Sequence, residues 1–148
     1  MIALDTSALL RYLTNDVPPL AKAVADVIEG TDGATLSSLV LLEAAYALRS
    51  RHYGWENPQV ADALIDLLAH DGIVLSDMPG DLASAAIAGV RHVSARHIAD
   101  ALVAAAARHG GAAALLTGDA KFASELVPLV RLQAGGLTSD GETEATAP

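Results

Sequence analysis

The sequence predicts an α/β protein built on a short parallel sheet that is covered by helices on both faces. The first indication is alternation, because short apolar runs bounded by turn residues are separated by longer segments with helical spacing. The second is composition: 52% of the residues are hydrophobic but only 3% are aromatic, so the core must consist mostly of Ala, Leu, Val and Ile. The third is length, since 148 residues suit one domain with its own core.

Each predicted strand is a short, mainly apolar run, and the first four are followed by Asp, Ser or Thr. Five strands are expected, at residues 2–4, 34–36, 73–75, 113–116 and 129–132. The segments between them repeat apolar residues at intervals of three and four. Six helices are expected, at residues 7–13, 20–29, 38–51, 58–70, 79–90 and 95–109. Ser37 or Ser38 is a candidate cap for the third helix, and Ser94 for the sixth.

Residues 1–133 are expected to form the domain, and residues 134–148 a disordered acidic tail. The tail, AGGLTSDGETEATAP, contains no basic residue and has a low-complexity composition. The formal net charge of −9 argues against a nucleic-acid partner, because such affinity normally comes from Lys and Arg. Three of the negative charges lie in this tail, at Asp140, Glu142 and Glu144, which weakens the objection.

Several classes of protein are excluded or disfavoured by what the chain lacks. The absence of cysteine excludes a disulfide framework, thiolate zinc sites and a cysteine nucleophile. No apolar stretch approaches the roughly 20 residues of a membrane span, and MIALD carries no basic region before it. A cytoplasmic protein without a membrane partner is therefore expected.

Four acidic residues stand where solubility does not explain a carboxylate: Asp5, Glu43, Asp100 and Asp119. Asp5 and Asp119 follow apolar runs, whereas Glu43 interrupts LVLLEAAYAL and Asp100 interrupts HIADALVAAAA. Carboxyl ends of parallel strands share one edge of a sheet, so we expect the four to meet there. Carboxylates in apolar surroundings need compensation, and oxygen ligands suit Mg²⁺ or Mn²⁺. Supporting hydroxyls are expected from Thr6, Ser7 and Thr117.

Each acid also has a structural explanation. Asp5 and Asp119 are suitable helix N-caps, and Asp100 is placed to pair with Arg96 four residues earlier. Glu43 has apolar neighbours one turn away, so a structural role for it requires a partner such as an arginine or a hydroxyl.

The motifs around these acids resemble those of the PIN-domain family, and within it the VapC-type ribonuclease toxins of toxin–antitoxin pairs. The opening DTSALLRYLTND is similar to the first motif of the family and SSLVLLEAAYALRS to the second. HIADALVAAAARHGGAAALLTGDAKF is similar to the third and fourth. The similarity spans roughly residues 1–132.

The resemblance implies a three-layer α/β/α sandwich and a Mg²⁺-dependent endoribonuclease that cleaves tRNA or rRNA through metal-activated water. It also implies a small cognate antitoxin and a homodimer. Asp5 and Asp100 are expected to hold the principal ion, with Asp119 and Glu43 completing a second site or orienting water.

Two alternatives belong to other classes. A phosphoryl-accepting signalling domain would use Asp5 or Asp77 as acceptor, but it requires adjacent acids after the first strand and a Lys after the last. Thr6 and Arg131 stand there instead. A nonenzymatic module would use the same acids to dock a basic partner.

Overall fold

The computed structural model describes residues 1–93 and 98–141, which form six helices and six strands. In chain order the elements are β1 (Ile2–Ala3), α1 (Thr6–Thr14), α2 (Pro18–Ile28), β2 (Ala34–Leu36), α3 (Ser38–Arg49), α4 (Asn57–Leu68), β3 (Ile73–Leu75), α5 (Gly80–Gly89), α6 (Ile98–His109), β4 (Leu115–Thr117), β5 (Leu129–Gln133) and β6 (Gly136–Ser139).

The strands form two three-stranded sheets. The first has the order β1-β2-β3 and is entirely parallel, with Ala34 of β2 opposite Ile2 and Ile73 of its neighbours. The second has the order β4-β5-β6, in which β4 is parallel to β5 and β6 is antiparallel to it. Parallel neighbours require a crossover. Helices provide it between β1, β2 and β3, whereas residues 118–128, which contain no helix, provide it between β4 and β5.

The two sheets have separate apolar clusters of very different size. The larger cluster contains Leu36 and Leu75 of the first sheet and Leu4, which follows β1. It also contains side chains from all six helices. The smaller cluster consists of Ala104, Phe122, Val127 and Leu129. Helix α6 belongs to both clusters, because successive residues of a helix point in different directions.

The predicted α/β class is confirmed, and the arrangement is consistent with a three-layer α/β/α sandwich. All six predicted helices are present, with ends that differ by a few residues. Among the described residues, no helix is long and apolar enough to cross a membrane.

The prediction of a disordered tail from residue 134 is wrong for Gly136–Ser139, which form β6. Gly135 has a φ of +102°, a conformation that glycine adopts readily, and it allows a tight turn back from β5. The Arg131 side chain pairs with Asp140 at 2.8 Å between Nε and Oδ1. The tail contains no basic residue, but its Asp140 pairs with a basic residue of the neighbouring strand β5. Residues 142–148 lie outside the described part of the chain.

Candidate active site

Asp5 occupies the N-cap position of α1, immediately after β1. Its backbone is extended, with φ −88° and ψ 175°, and its Oδ1 accepts hydrogen bonds from the Ala8 amide and the Ser7 hydroxyl, each 2.8 Å long. The hydrogen bond from the Ala8 amide, followed by that from Ser7, lowers the pKa of Asp5 below its ordinary value of 3.8. Asp5 is therefore an ionised, oriented carboxylate, and the cap and ligand interpretations are compatible because the hydrogen bonds from the Ala8 amide and the Ser7 hydroxyl both go to Oδ1.

Glu43 is connected to the Asp5 region by Thr6, the residue that follows Asp5 in the chain. The Thr6 hydroxyl donates a hydrogen bond to Oε2 of Glu43, which joins the first turn of α1 to the middle of α3. The structure thus brings together two of the predicted acids and one of the predicted supporting hydroxyls. Ser7, the second predicted hydroxyl, bonds to Asp5 itself.

The expectation that these acids are held in apolar surroundings is wrong. Asp5, Glu43 and Asp119 are exposed, and Asp100 is half-buried. Glu43 has apolar neighbours as predicted, but Leu39 and Tyr46 are themselves 61% and 60% exposed. Solvent therefore compensates these carboxylates, and burial does not by itself demand a cation.

Asp77 fixes the start of the helix that carries Glu43. Its carboxylate accepts hydrogen bonds from the Ser38 amide at 2.9 and 3.1 Å and from the Ser38 hydroxyl at 2.7 Å. Ser37 occupies the N-cap position but makes no side-chain cap bond. The predicted cap at Ser37 or Ser38 is thus replaced by a carboxylate from the loop after β3, and this use of Asp77 is unlike that of a phosphoryl acceptor.

Asp100 lies in the first turn of α6, where a negative charge is favourable beside the helix dipole. Helix α6 packs against α3, so Asp100 and Glu43 lie on neighbouring helices. The predicted cap Ser94 and the predicted ion-pair partner Arg96 lie outside the described residues.

Asp119 follows β4 in the second sheet, as predicted, but it begins a turn and not a helix. Its Oδ1 accepts a 2.8 Å hydrogen bond from the Lys121 amide, and its own amide donates to the Thr117 hydroxyl at 3.0 Å. The Arg131 guanidinium donates to the Asp119 carbonyl at 2.9 Å and to the Phe122 carbonyl at 2.9 Å. Thr117 supports this turn, and the N-cap alternative for Asp119 is wrong.

The four predicted acids do not form a ready-made metal cage. Across residues 1–93 and 98–141, no group of three or more His, Asp or Glu side chains is placed to hold a metal ion. Asp5 and Glu43 are joined through Thr6, and Asp100 stands on the helix next to Glu43. The hydrogen bonds of Asp119 all lie within its own sheet and turn.

Two residues that position this site were missed from the sequence: Asp77, which starts α3, and Arg131, which holds the turn of Asp119. Asp77 acts across 39 positions and Arg131 across 12, so neither has a local pattern. The sequence signal for a positioning role was their location: Asp77 follows the apolar strand β3, and Arg131 lies within the apolar strand β5.

Comparison with known families finds one match. The PIN domain family matches residues 2–124, a range that includes the four candidate acids and all six helices. The chain therefore belongs to the PIN domain family, whose members are generally nucleases that use divalent metal ions. No curated protein and no solved structure matches the chain significantly.

The donor set fits a hard divalent cation by its chemistry. Carboxylate and hydroxyl oxygens are the ligands that Mg²⁺ and Mn²⁺ prefer, and thiolates are absent. Asp5 is kept ionised, because its hydrogen bonds lower its pKa, so it needs no deprotonation before it binds a cation. Glu43 keeps its Oε1 free of hydrogen bonds from the described residues.

Proposed function

We propose that this protein is a Mg²⁺- or Mn²⁺-dependent endoribonuclease and the toxin of a toxin–antitoxin pair. The observation that carries the proposal is the start of α1, where Ser7 bonds to Asp5 and the adjacent Thr6 bonds to Glu43, in a chain of a nuclease family. The four motifs that resemble VapC-type toxins support the RNA substrate and the toxin role.

Asp5 and Asp100 would hold the principal cation, with Glu43 and Asp119 completing its surroundings. When bound, the cation supplies charge stabilisation at the scissile phosphate and activates water. The protein's own contribution is orientation. Ser7 and the Ala8 amide hold Oδ1 of Asp5, and Thr6 restrains Glu43.

The partners expected of such a toxin are a structured RNA, a cognate antitoxin protein and a second copy of the chain. An exposed group of carboxylates provides an obvious contact for a basic segment of an antitoxin, which would block the RNA at the same place. Binding of a basic partner is thus part of the proposal. The main alternative is a protein that binds such a partner without catalysing a reaction.

Cleavage of total cellular RNA, followed by sequencing of the new ends, tests the proposal. We expect discrete cuts with Mg²⁺ or Mn²⁺ and none with EDTA. The Asp100→Asn protein should lose cleavage, whereas Asp26→Asn, which alters an exposed acid on α2 that pairs with Lys22 at 2.7 Å, should retain it.

The same proteins distinguish the nonenzymatic alternative. A module that only docks a basic partner would leave RNA intact at every Mn²⁺ concentration and bind its partner equally well with EDTA. Unchanged cleavage by Asp100→Asn would contradict the proposed metal site.

A further inference from the structure

A shallow groove of about 170 Å³ runs between α3 and the first turn of α6. Ala45, Tyr46, Arg49 and Ser50 form one wall, and Ile98 and Ala99 form the other. The floor is apolar, because Ala45, Ile98 and Ala99 are all buried. Tyr46 lines the groove and is 60% exposed.

The groove lies on the two helices that carry Glu43 and Asp100. Glu43 precedes Tyr46 by three residues, and side chains at that spacing are neighbours on the same side of a helix. On the other wall, Ala99 directly precedes Asp100 in α6. The groove is therefore flanked by Glu43 on α3, and it shares α6 with Asp100.

The size and lining of the groove favour a single planar ring. Its volume is well below the roughly 300–1,000 Å³ of typical small-molecule sites, which suits a group of the size of one ring. An exposed aromatic ring beside a shallow apolar floor is the usual platform for an unpaired nucleobase.

The charge at the end of the groove is complementary to a phosphate. Arg49 and Ser50 line that end, and Arg51 follows directly. Four of the other basic residues, Arg11, Lys22, Arg91 and Arg131, are paired with acids. Arg51, by contrast, is exposed and forms no ion pair with a described residue. In a strongly acidic protein, positive charge at this place favours a polyanion.

We propose that this groove binds one unpaired base of the RNA, stacked on Tyr46, with the neighbouring phosphate beside the end of α3. The inference rests on the proposed function and extends it: the substrate must present a single-stranded nucleotide next to the cleaved bond. RNA loops and bulges offer such bases, whereas continuous duplex does not.

The test uses Asp5→Asn protein, which keeps the RNA uncut, and short single-stranded oligoribonucleotides that span a mapped cleavage site. Each oligoribonucleotide carries one fluorescent purine analogue, whose emission falls when it stacks. We expect quenching at one position next to the cut. Adding Tyr46→Ala should remove the quenching and weaken binding about tenfold, whereas Tyr46→Phe should stay within about twofold. Leu39→Ala, an equally exposed residue one turn before Glu43, is the matched control and should change neither.

The outcomes separate the groove from the nuclease. If wild-type protein cleaves RNA but Tyr46→Ala binds and quenches like its parent, the groove assignment is wrong and the nuclease stands. The same holds if Tyr46→Ala loses only the binding of a protein partner. If wild-type protein neither binds nor cleaves RNA, the proposed function fails, and the groove assignment fails with it.

Discussion

Asp5 and Asp119 are held in place by different means, although each follows a parallel strand by two residues. Asp5 caps a nine-residue helix that packs into the larger core, and its contacts come from the next three residues of the chain. Asp119 stands in a turn above a four-residue cluster, and Arg131 reaches it from a neighbouring strand. The Asp5 carboxylate is held by the first turn of a helix, whereas the Asp119 carboxylate is held by the Lys121 amide in a turn whose backbone Arg131 supports.

The largest expected effect is on catalysis. Asp5→Asn should lower kcat at least about a hundredfold, because a cation contributes several kcal/mol and about 1.4 kcal/mol is a factor of ten. Asp119→Asn should lower it about tenfold, as expected for a residue that completes the surroundings of the ion. Single-turnover RNA cleavage measures both.

Asparagine caps a helix about as well as aspartate, so Asp5→Asn should unfold like the wild type in urea. Asp26→Asn controls for the loss of one negative charge. A larger fall in kcat for Asp119→Asn than for Asp5→Asn would contradict the roles given to the two acids.

The sequence was sufficient for most of the fold because helical spacing and short apolar runs are local signals. It failed at β6, where AGG has the composition of a flexible tail but forms a turn with Gly135 at positive φ. Periodicity also could not tell which side of α3 faces the core. Leu41, Ala44 and Leu48 are buried, whereas the stripe with Leu39 and Tyr46 is not, and this misplaced Glu43 in an apolar environment.

The identities of the candidate acids were available from the sequence, but their mutual placement was not. Thr6 and Glu43 are 37 residues apart, and Ser38 and Asp77 are 39 residues apart. Contacts over such separations depend on how helices pack, which no local pattern encodes. Local pattern did predict Asp5 as a cap, since that requires only the next three residues.

The next effect concerns stability. Leu41→Ala, in the larger cluster, should lower the free energy of unfolding by about 4 kcal/mol, whereas Leu129→Ala, in the smaller one, should lower it by about 2 kcal/mol. The two losses should differ because the side chains around a cavity in a small cluster near the surface can move to fill it more easily. Urea denaturation with a common m-value measures both, and equal losses would mean that the two sheets share one rigid core.

The smallest effect isolates the support of Asp119. Arg131→Met should reduce cleavage about fivefold by releasing the Asp119 carbonyl, and it should have no further effect in an Asp119→Asn background. Lys22→Met, which removes an exposed ion pair on α2, serves as the control and should leave cleavage unchanged. Additive losses from Arg131→Met and Asp119→Asn would show that Arg131 acts elsewhere.

The most direct test of a shared cation site is calorimetric titration of Mn²⁺ into wild-type, Asp5→Asn and Asp26→Asn proteins without RNA. If the carboxylates around Asp5 collect on one ion, the wild type and Asp26→Asn should bind Mn²⁺ alike, and Asp5→Asn should bind at least about tenfold more weakly. Identical isotherms for all three proteins would contradict the account.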